Sequence, residues 1–447
     1  MHSALATDLY EIAMVAGYHH AQITGRCTFE LFVRTLPPSR AYLIAAGIEQ
    51  ALDFLEELHF TPEEVAYLRS VPALSRVSDE FFTRVLPELR FRGDVWAVRE
   101  GEPVFAREPI VRVTAAAAEA QIVETALLAI ITFQTSIASK AARIVQAAEG
   151  RRVIEYGSRR AHGLDAALHA ARAAYLAGCA GTSNVEAGHR FGIPVSGTMA
   201  HSWVMGFERE LDAFRTYLDL FGDGTTLLID TYDTVRAARA LAAAGLTPSA
   251  VRLDSGDLLA LSRDVRRILD EGGASATRIL ASGDLDEHSI ARLLAAGAPI
   301  DAFGVGTALS TSLDAPALGG VYKLVEVERE SAMRPVVKLS AQKQTYAGAK
   351  QVWRIVEDGV AVRDRIGLDG EPAPAEGRAL LQPVMRAGRR IVPRAPLTQV
   401  REACLAAVAE LPGAVRRVAN WETLEVSITP ALERLTADAR ERVLARS

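Results

Sequence analysis

Hydrophobic and polar positions follow two rhythms across the middle of this chain. Short runs rich in β-branched and aliphatic residues recur: RVIEYG (152–157), CAGTSN (179–184), VSGTMA (195–200), TLLID (226–230), AVRLD (250–254), RILASG (278–283) and DAFGVG (301–306), with VYKLVEV (321–327) as an eighth. Between several of them lie longer helical patterns, such as DTVRAARALAAAG (233–245) and LLALSRDVRRILDEGG (258–273). Strand and helix alternating in this way predict a parallel α/β arrangement. Seven or eight units favour a closed barrel over an open sheet.

The flanks read differently. Residues 1–120 mix short helices with strand-like runs, CTFELFV (27–33) and VWAVRE (95–100), interrupted by Pro37, Pro38, Pro62, Pro87 and Pro103. From Ala115 to Ala148 good helix formers follow one another without Gly or Pro, which predicts a long helix. Residues 326–447 carry the strand-like runs VVKLS and QVWRIVE, a Pro/Gly-rich stretch from Gly367 to Pro396, and amphipathic helices near the end. The predicted division is 1–120, then 121–325 for the α/β core, then 326–447.

At 447 residues the chain has room for two or three domains. Its 49% hydrophobic and 23% charged residues and net charge of -5 are those of an ordinary globular protein, with no basic excess to recruit nucleic acid or a membrane surface. Only five of the 50 basic residues are lysines, which reflects composition before function. Cys27, Cys179 and Cys404 are widely spaced and form no CxxC pair, which fits a reducing compartment without structural zinc. The first residues carry Asp8 and Glu11 rather than a signal pattern, and the apolar stretch TALLAIITF (125–133) is short for a membrane span. A cytoplasmic protein is expected.

Polar and small residues cluster at the C-terminal end of nearly every run in the middle zone. They are Glu155 to Arg160, Gly181 to Asn184, Gly197 to Ser202, Asp230 to Asp233, Arg252 to Asp257, Ser282-Gly283-Asp284 and Gly304 to Thr307, including Gly306. One such cluster is usually a loop or a helix cap; many in register point to a shared site on one face. Arg159, Arg160 and Arg252 offer planar forks for carboxylate or phosphate, although a lone arginine is as often a surface ion pair. The glycine-opened segments around Gly283 and Gly306 suit phosphate oxygens. Asp254 and Asp257 suit Mg²⁺ or ribose hydroxyls. The combination describes a phosphorylated sugar and an acidic co-substrate. There is no GxxxxGK[ST] loop, HExxH helix or GxSxG elbow. LLIDTYDT (227–234) lacks the acidic pair and Thr-Gly of the flavodoxin-like phosphoribosyltransferases, and no strand of the middle zone ends in the lysine that an aldolase needs.

The segments TDLYEIAMVAGY (7–18), EYGSRRAHG (155–163), GTSNVEAG (181–188), GTMAHSWVMGF (197–207), DTYDT (230–234), VRLDSGDL (251–258) and FGVGT with LGGVYKLV (303–325) together resemble the nicotinate phosphoribosyltransferases. The resemblance runs over about 5–360 in consistent order. It implies an irregular α/β barrel and an N-terminal open-faced α+β sandwich completed by later strands, from about 326–400. It also implies nicotinate and 5-phosphoribosyl 1-diphosphate as substrates, ATP as co-substrate, Mg²⁺ as cofactor, and a homodimer with shared sites. His201 matches the autophosphorylated histidine, and Asp230 the carboxylate that holds it. Tyr156 and Tyr10 match the aromatics about the pyridine ring, Tyr10 coming from the second subunit. Thr198 and Arg252 match nicotinate contacts, and Thr307 a phosphate contact. Ser183 stands where nicotinamide-specific relatives carry Asp, which favours the acid over the amide. Other readings are a nicotinamide enzyme or a non-catalytic nucleotide-binding barrel. His162 and His169 read as packed or solvated helix residues, His189 as a loop residue, and Lys140 as either a phosphate contact or a solvated lysine.

Overall fold

The computed structural model describes residues 3–339 and 345–445. Two compact units emerge: Met1–Ser136 with Ala317–Val415 and Glu422–Ser447, and Ile137–Pro316 with Arg416–Trp421. The cuts fall at 136 and 317, where the sequence reading placed them near 120 and 325.

The first unit is built on a seven-stranded sheet. Its strands run, in spatial order, Ala332–Pro335, Gly320–Arg329, Arg26–Val33, Pro109–Ala116, Asp94–Ala97, Gln382–Arg386 and Arg389–Arg390. The eighth predicted run, 321–327, therefore lies here and not in the parallel sheet: Cys27 pairs antiparallel with Val327 and Val33 with Gly320. Tyr322 and Val325 are buried while Lys323, Leu324 and Glu326 are half-exposed, with a register shift between Thr28 and Phe29 opposite 324–326, and Tyr322 stacks on Phe29 at 4.7 Å. A four-stranded sheet joins Gly377–Ala379, Lys350–Glu357, Val360–Leu368 and Glu425–Ile428. Of the VVKLS run, Val336 to Leu339 are not in a strand, and Ser340 lies outside the described residues.

The predicted long helix starts later than expected. Ala115 and Ala116 finish the strand Pro109–Ala116, and helix follows as Ala117–Gln121 and Glu124–Ala147. The whole run Ala117–Ala147 is long and apolar enough to cross a bilayer, longer than the stretch read at 125–133, but most of it is buried inside the protein.

The second unit holds a six-stranded parallel sheet of β1 (Arg152–Glu155), β2 (Gly181–Thr182), β3 (Thr226–Leu228), β4 (Ala250–Leu253), β5 (Arg278–Ala281) and β6 (Ala302–Val305). Their order is β2-β1-β6-β5-β4-β3. Apolar residues such as Val153, Leu227, Val251, Ile279 and Phe303 are fully buried, as a sheet covered on both faces demands. The predicted closed barrel is not reached by hydrogen bonding among the described residues, because β2 and β3 are the two edges of an open ladder. The run 195–200 adds only a bridge from Val195 to Thr182. Its Ser-Gly-Thr centre has little apolar surface to bury.

Helix starts are written into the sequence. Asp233 caps Thr234–Ala243, Asp257 caps Leu258–Glu271, Asp286 forms a capping box on Glu287–Ala295, and Asn184 caps Val185–Phe191.

Candidate active site

Arg252, in β4, is the hub of the strand-end cluster. Its Nε donates to Ser282 Oγ at 2.7 Å, Nη1 to Thr198 Oγ1 at 2.9 Å and Nη2 to Asp254 Oδ1 at 2.7 Å. Ser282 Oγ donates onward to Asp254 Oδ1 at 2.6 Å. The guanidinium carbon sits 5.4 Å from the Tyr156 ring centroid. Two glycines make this packing possible. A Cβ on Gly304 would meet the Tyr156 ring at 2.5 Å, and one on Gly283, at φ +90, would lie 1.9 Å from the Asp254 carbonyl.

His201 opens the helix His201–Met205, after Ala200 in extended conformation. Its Nδ1 lies 3.2 Å from Thr231 Oγ1, and its Nε2 lies 3.8 Å from Asp254 Oδ2. The expected partner, Asp230, does not make this contact. Asp230 Oδ2 accepts from the Asp254 backbone N–H at 2.8 Å and from Ser255 Oγ at 2.7 Å, while its Oδ1 is buried without a hydrogen-bond partner. Being pinned to the next strand end turns Asp230 toward β4 and leaves the adjacent Thr231 facing the ring. Thr231 was not singled out from sequence; its place directly after Asp230 was the available signal.

The remaining candidates divide. Ser183 is half-buried and its N–H donates to the Glu155 carbonyl at 3.0 Å, so the ends of β2 and β1 are tied together. Thr307 begins the turn Thr307–Ser310 just past Gly306, and Asp284 follows Gly283 with a positive φ of 47. Arg159 lies exposed on the turn Ser158–Arg160. Asp257 serves as a helix cap through one oxygen: its Oδ1 accepts from the Leu259 and Ala260 N–H groups, both at 3.1 Å. Tyr10 belongs to the first unit, 46% exposed on the helix Leu9–His20. His189 is helical, within Val185–Phe191, rather than in a loop. His169 packs near Phe191 and lies 3.5 Å from Asp165.

Glu155, buried at the end of β1, accepts from Thr182 Oγ1 at 2.6 Å and from the Gly157 N–H. Burial pushes its carboxyl up, against those two hydrogen bonds. Burial also raises the Tyr156 phenol, with Arg252 opposing. For Asp254 the balance reverses. Burial would raise it, but the Ser282 hydrogen bond and the Arg252 charge prevail and hold it below the ordinary carboxylate range. An anionic Asp254 thus stands between Arg252 and His201. Among the described residues no group of three or more His, Cys, Asp or Glu is arranged to hold a metal on its own.

Three family models match in sequence along the chain: the nicotinate phosphoribosyltransferase N-terminal domain over 5–132, the nicotinate phosphoribosyltransferase family over 151–365 and the C-terminal domain over 374–436. The chain is 47% identical over 399 residues to the nicotinate phosphoribosyltransferase pncB2 of Mycobacterium tuberculosis, covering 88% of this chain and 84% of that one. It is 45% identical over 363 residues to the nicotinate phosphoribosyltransferase of Bacillus subtilis, covering 79% and 73%. The crystal structure of the human nicotinic acid phosphoribosyltransferase superposes with a TM-score of 0.83 at 27% identity, covering 97% of this chain and 99% of that one. With the likeness spread over both units and the whole strand-end cluster, this chain belongs to the nicotinate phosphoribosyltransferase family.

Proposed function

We propose that this chain joins nicotinate to 5-phosphoribosyl 1-diphosphate for NAD biosynthesis and couples that step to ATP hydrolysis, as a ligase, through a phosphorylated His201. The observation that carries the coupling is the single carboxylate of Asp254, with Oδ1 on Arg252 and Ser282 and Oδ2 facing His201.

Arg252 has five N–H donors; three are used within the protein, and five less three leaves two for a ligand carboxylate. With the Tyr156 ring beside it, this fork orients nicotinate by its acid group and its ring face. Ser183 brings no charge that would repel that carboxylate. The pyridine nitrogen attacks C1 of the sugar as the C1–diphosphate bond breaks, and positive charge develops on the ribose. Asp254, kept anionic, faces that charge. Backbone N–H groups at Gly283–Asp284 and Gly306–Thr307 receive phosphate oxygens. Mg²⁺ fits the hard oxygen donors here: Asp230 has a buried Oδ1 without partner, and with Asp254 it would hold an ion carried mainly by the substrate phosphates. That ion would neutralise the leaving diphosphate.

His201 is 41% exposed, so its ring is open to ATP. With its proton on Nδ1, donated to Thr231 Oγ1, the ring offers the Nε2 lone pair to the γ-phosphorus, and ADP leaves as the N–P bond forms. The open six-stranded sheet is read as an incomplete barrel, and the seven-stranded sheet as the open-faced sandwich. A cytoplasmic homodimer completes this reading. Its support is the exposed apolar set on each unit, Leu9, Tyr10 and Met14 on one, and Leu164, Val185 and Met205 on the other. The three cysteines are buried thiols, in keeping with a reducing compartment.

The test is a panel of nicotinate, nicotinamide and quinolinate, each with the sugar diphosphate, with and without ATP. Turnover of nicotinate alone, stimulated by ATP and accompanied by ADP release, is expected. Preference for nicotinamide, or nicotinate turnover indifferent to ATP, would refute the reading. For the dimer, mixed inactive Tyr10→Ala and His201→Ala chains should regain activity; no rescue after demonstrated exchange would place each site within one chain.

A further inference from the structure

Lys140 is neither of the things its sequence context offered. It is 3% exposed, and its Nζ lies 2.5 Å from Glu287 Oε2 and 2.8 Å from Asp314 Oδ1. Arg143, one helical turn on, donates through Nε to Glu287 Oε1 at 3.1 Å and through Nη2 to the Val418 carbonyl at 2.7 Å, with Trp421 5.0 Å beneath its guanidinium. Two cations thus meet two carboxylates within the second unit, Glu287 fully buried and Asp314 at the edge of the cluster. Burial alone would raise the Glu287 carboxyl; Lys140 overcomes it and keeps the group ionised.

What matters is where the two carboxylates come from. Glu287 is the first residue of the helix that follows Ser282-Gly283-Asp284, three residues beyond Asp284. Asp314 lies just past the turn Thr307–Ser310 that follows Gly304–Thr307. One buried ammonium therefore ties together the supports of both glycine-opened strand ends. The tie reaches further. Ser310 packs so closely on Gly157 that a Cβ there would lie 2.3 Å from Ser310 Oγ, and Gly157 opens the turn carrying Arg159.

We propose that Lys140 is a positioning residue for the sugar-diphosphate donor: it fixes the spacing of the β5 and β6 strand ends without touching the substrate. This rests on the reading of those strand ends as the phosphate-holding elements. A lysine suits the place because a compact ammonium with three donors on a flexible stem can serve two carboxylates from different elements. Small displacements of oriented N–H groups are costly to a phosphate site, since its energy depends on geometry.

The experiment measures KM for the donor, KM for nicotinate, kcat and melting temperature for Lys140→Met, Asp314→Asn, Lys140→Met/Glu287→Gln and Thr307→Val. Asp314 is 29% exposed, so Asp314→Asn decides the matter should Lys140→Met fail to fold. The expected result is a rise of about tenfold in donor KM for the Lys140 and Asp314 variants, with nicotinate KM within about twofold. The double variant removes one of the two carboxylates that lose Lys140, keeps an amide oxygen to accept from Arg143, and recovers melting temperature while donor KM stays high. Equal movement of both KM values, a fall in melting temperature alone, or recovery of donor KM in the double variant would overturn the proposal. Thr307→Val reports on the underlying reading. If it leaves donor KM unchanged, the Thr307 side chain is no phosphate contact and the reading beneath the proposal fails at β6; if it raises donor KM while Asp314→Asn does not, only the positioning role is lost.

Discussion

At the residue scale the site is organised by one guanidinium. Arg252 is 12% exposed and its three protein contacts each use a different nitrogen. A lysine would keep the charge but reach only part of this set, leaving the Ser282 or Thr198 hydroxyl oxygen without the donor it now accepts from and the Tyr156 face uncovered. Arg252→Lys is therefore expected to cost about 1–3 kcal/mol in kcat/KM for nicotinate, with ATP hydrolysis in its absence affected less. Equal losses in both would move Arg252 from the pyridine pocket to the phosphate site. Sequence made Arg252, Thr198 and Asp254 visible, because each sits at a strand end beside a glycine or another polar residue. It did not show that Oδ1 of Asp257 caps a helix, or that Thr231 rather than the adjacent Asp230 meets the His201 ring. Which of two adjacent side chains faces a ring depends on the hydrogen bonds of the neighbouring strand, and those are set by tertiary packing.

At the element scale the alternating rhythm located the six parallel strands, but periodicity could not assign 321–327 to the right sheet. A short apolar run reads alike wherever it pairs. Long-range ion pairs were equally hidden. In the first unit the fully buried Arg354 binds Asp364 through Nε at 3.0 Å and Nη2 at 2.6 Å, and Glu102 through Nη1 at 2.8 Å; Arg378 also reaches Glu102, at 3.0 Å. Glu108 is a third buried acid beside them. Its Oε2 accepts from the Phe105 N–H at 2.8 Å and its Oε1 has no partner. Burial, and then the Asp364 charge, push its carboxyl well above the ordinary range, with Arg354 opposing. A carboxyl raised in the folded state stabilises most below its unfolded value, and that contribution is lost as pH rises toward the folded value. Glu108→Gln keeps the acceptor for Phe105 and removes the proton. Its unfolding free energy in urea should fall less between about pH 5 and 8 than the wild type's, by up to roughly 1.4 kcal/mol per pH unit. Parallel curves for the two proteins would mean that Glu108 is ionised in the fold.

At the scale of the whole molecule, ATP is bound up with the donor and acceptor chemistry only if His201 carries a phosphoryl group. The ring is accessible, Thr231 holds one nitrogen, and Asp254 links the other to the nicotinate-binding arginine. A phosphoryl group on Nε2 adds negative charge beside Asp254, which would tighten its grip on Arg252 and alter how the face holds the sugar diphosphate. Incubation with γ-labelled ATP, followed by peptide mapping, examines this directly. An acid-labile, base-stable label should appear on the peptide containing His201, be discharged when nicotinate and the sugar diphosphate are added, and be absent from His201→Ala along with ATP-stimulated turnover. Label on a different residue, or full ATP stimulation in His201→Ala, would contradict it.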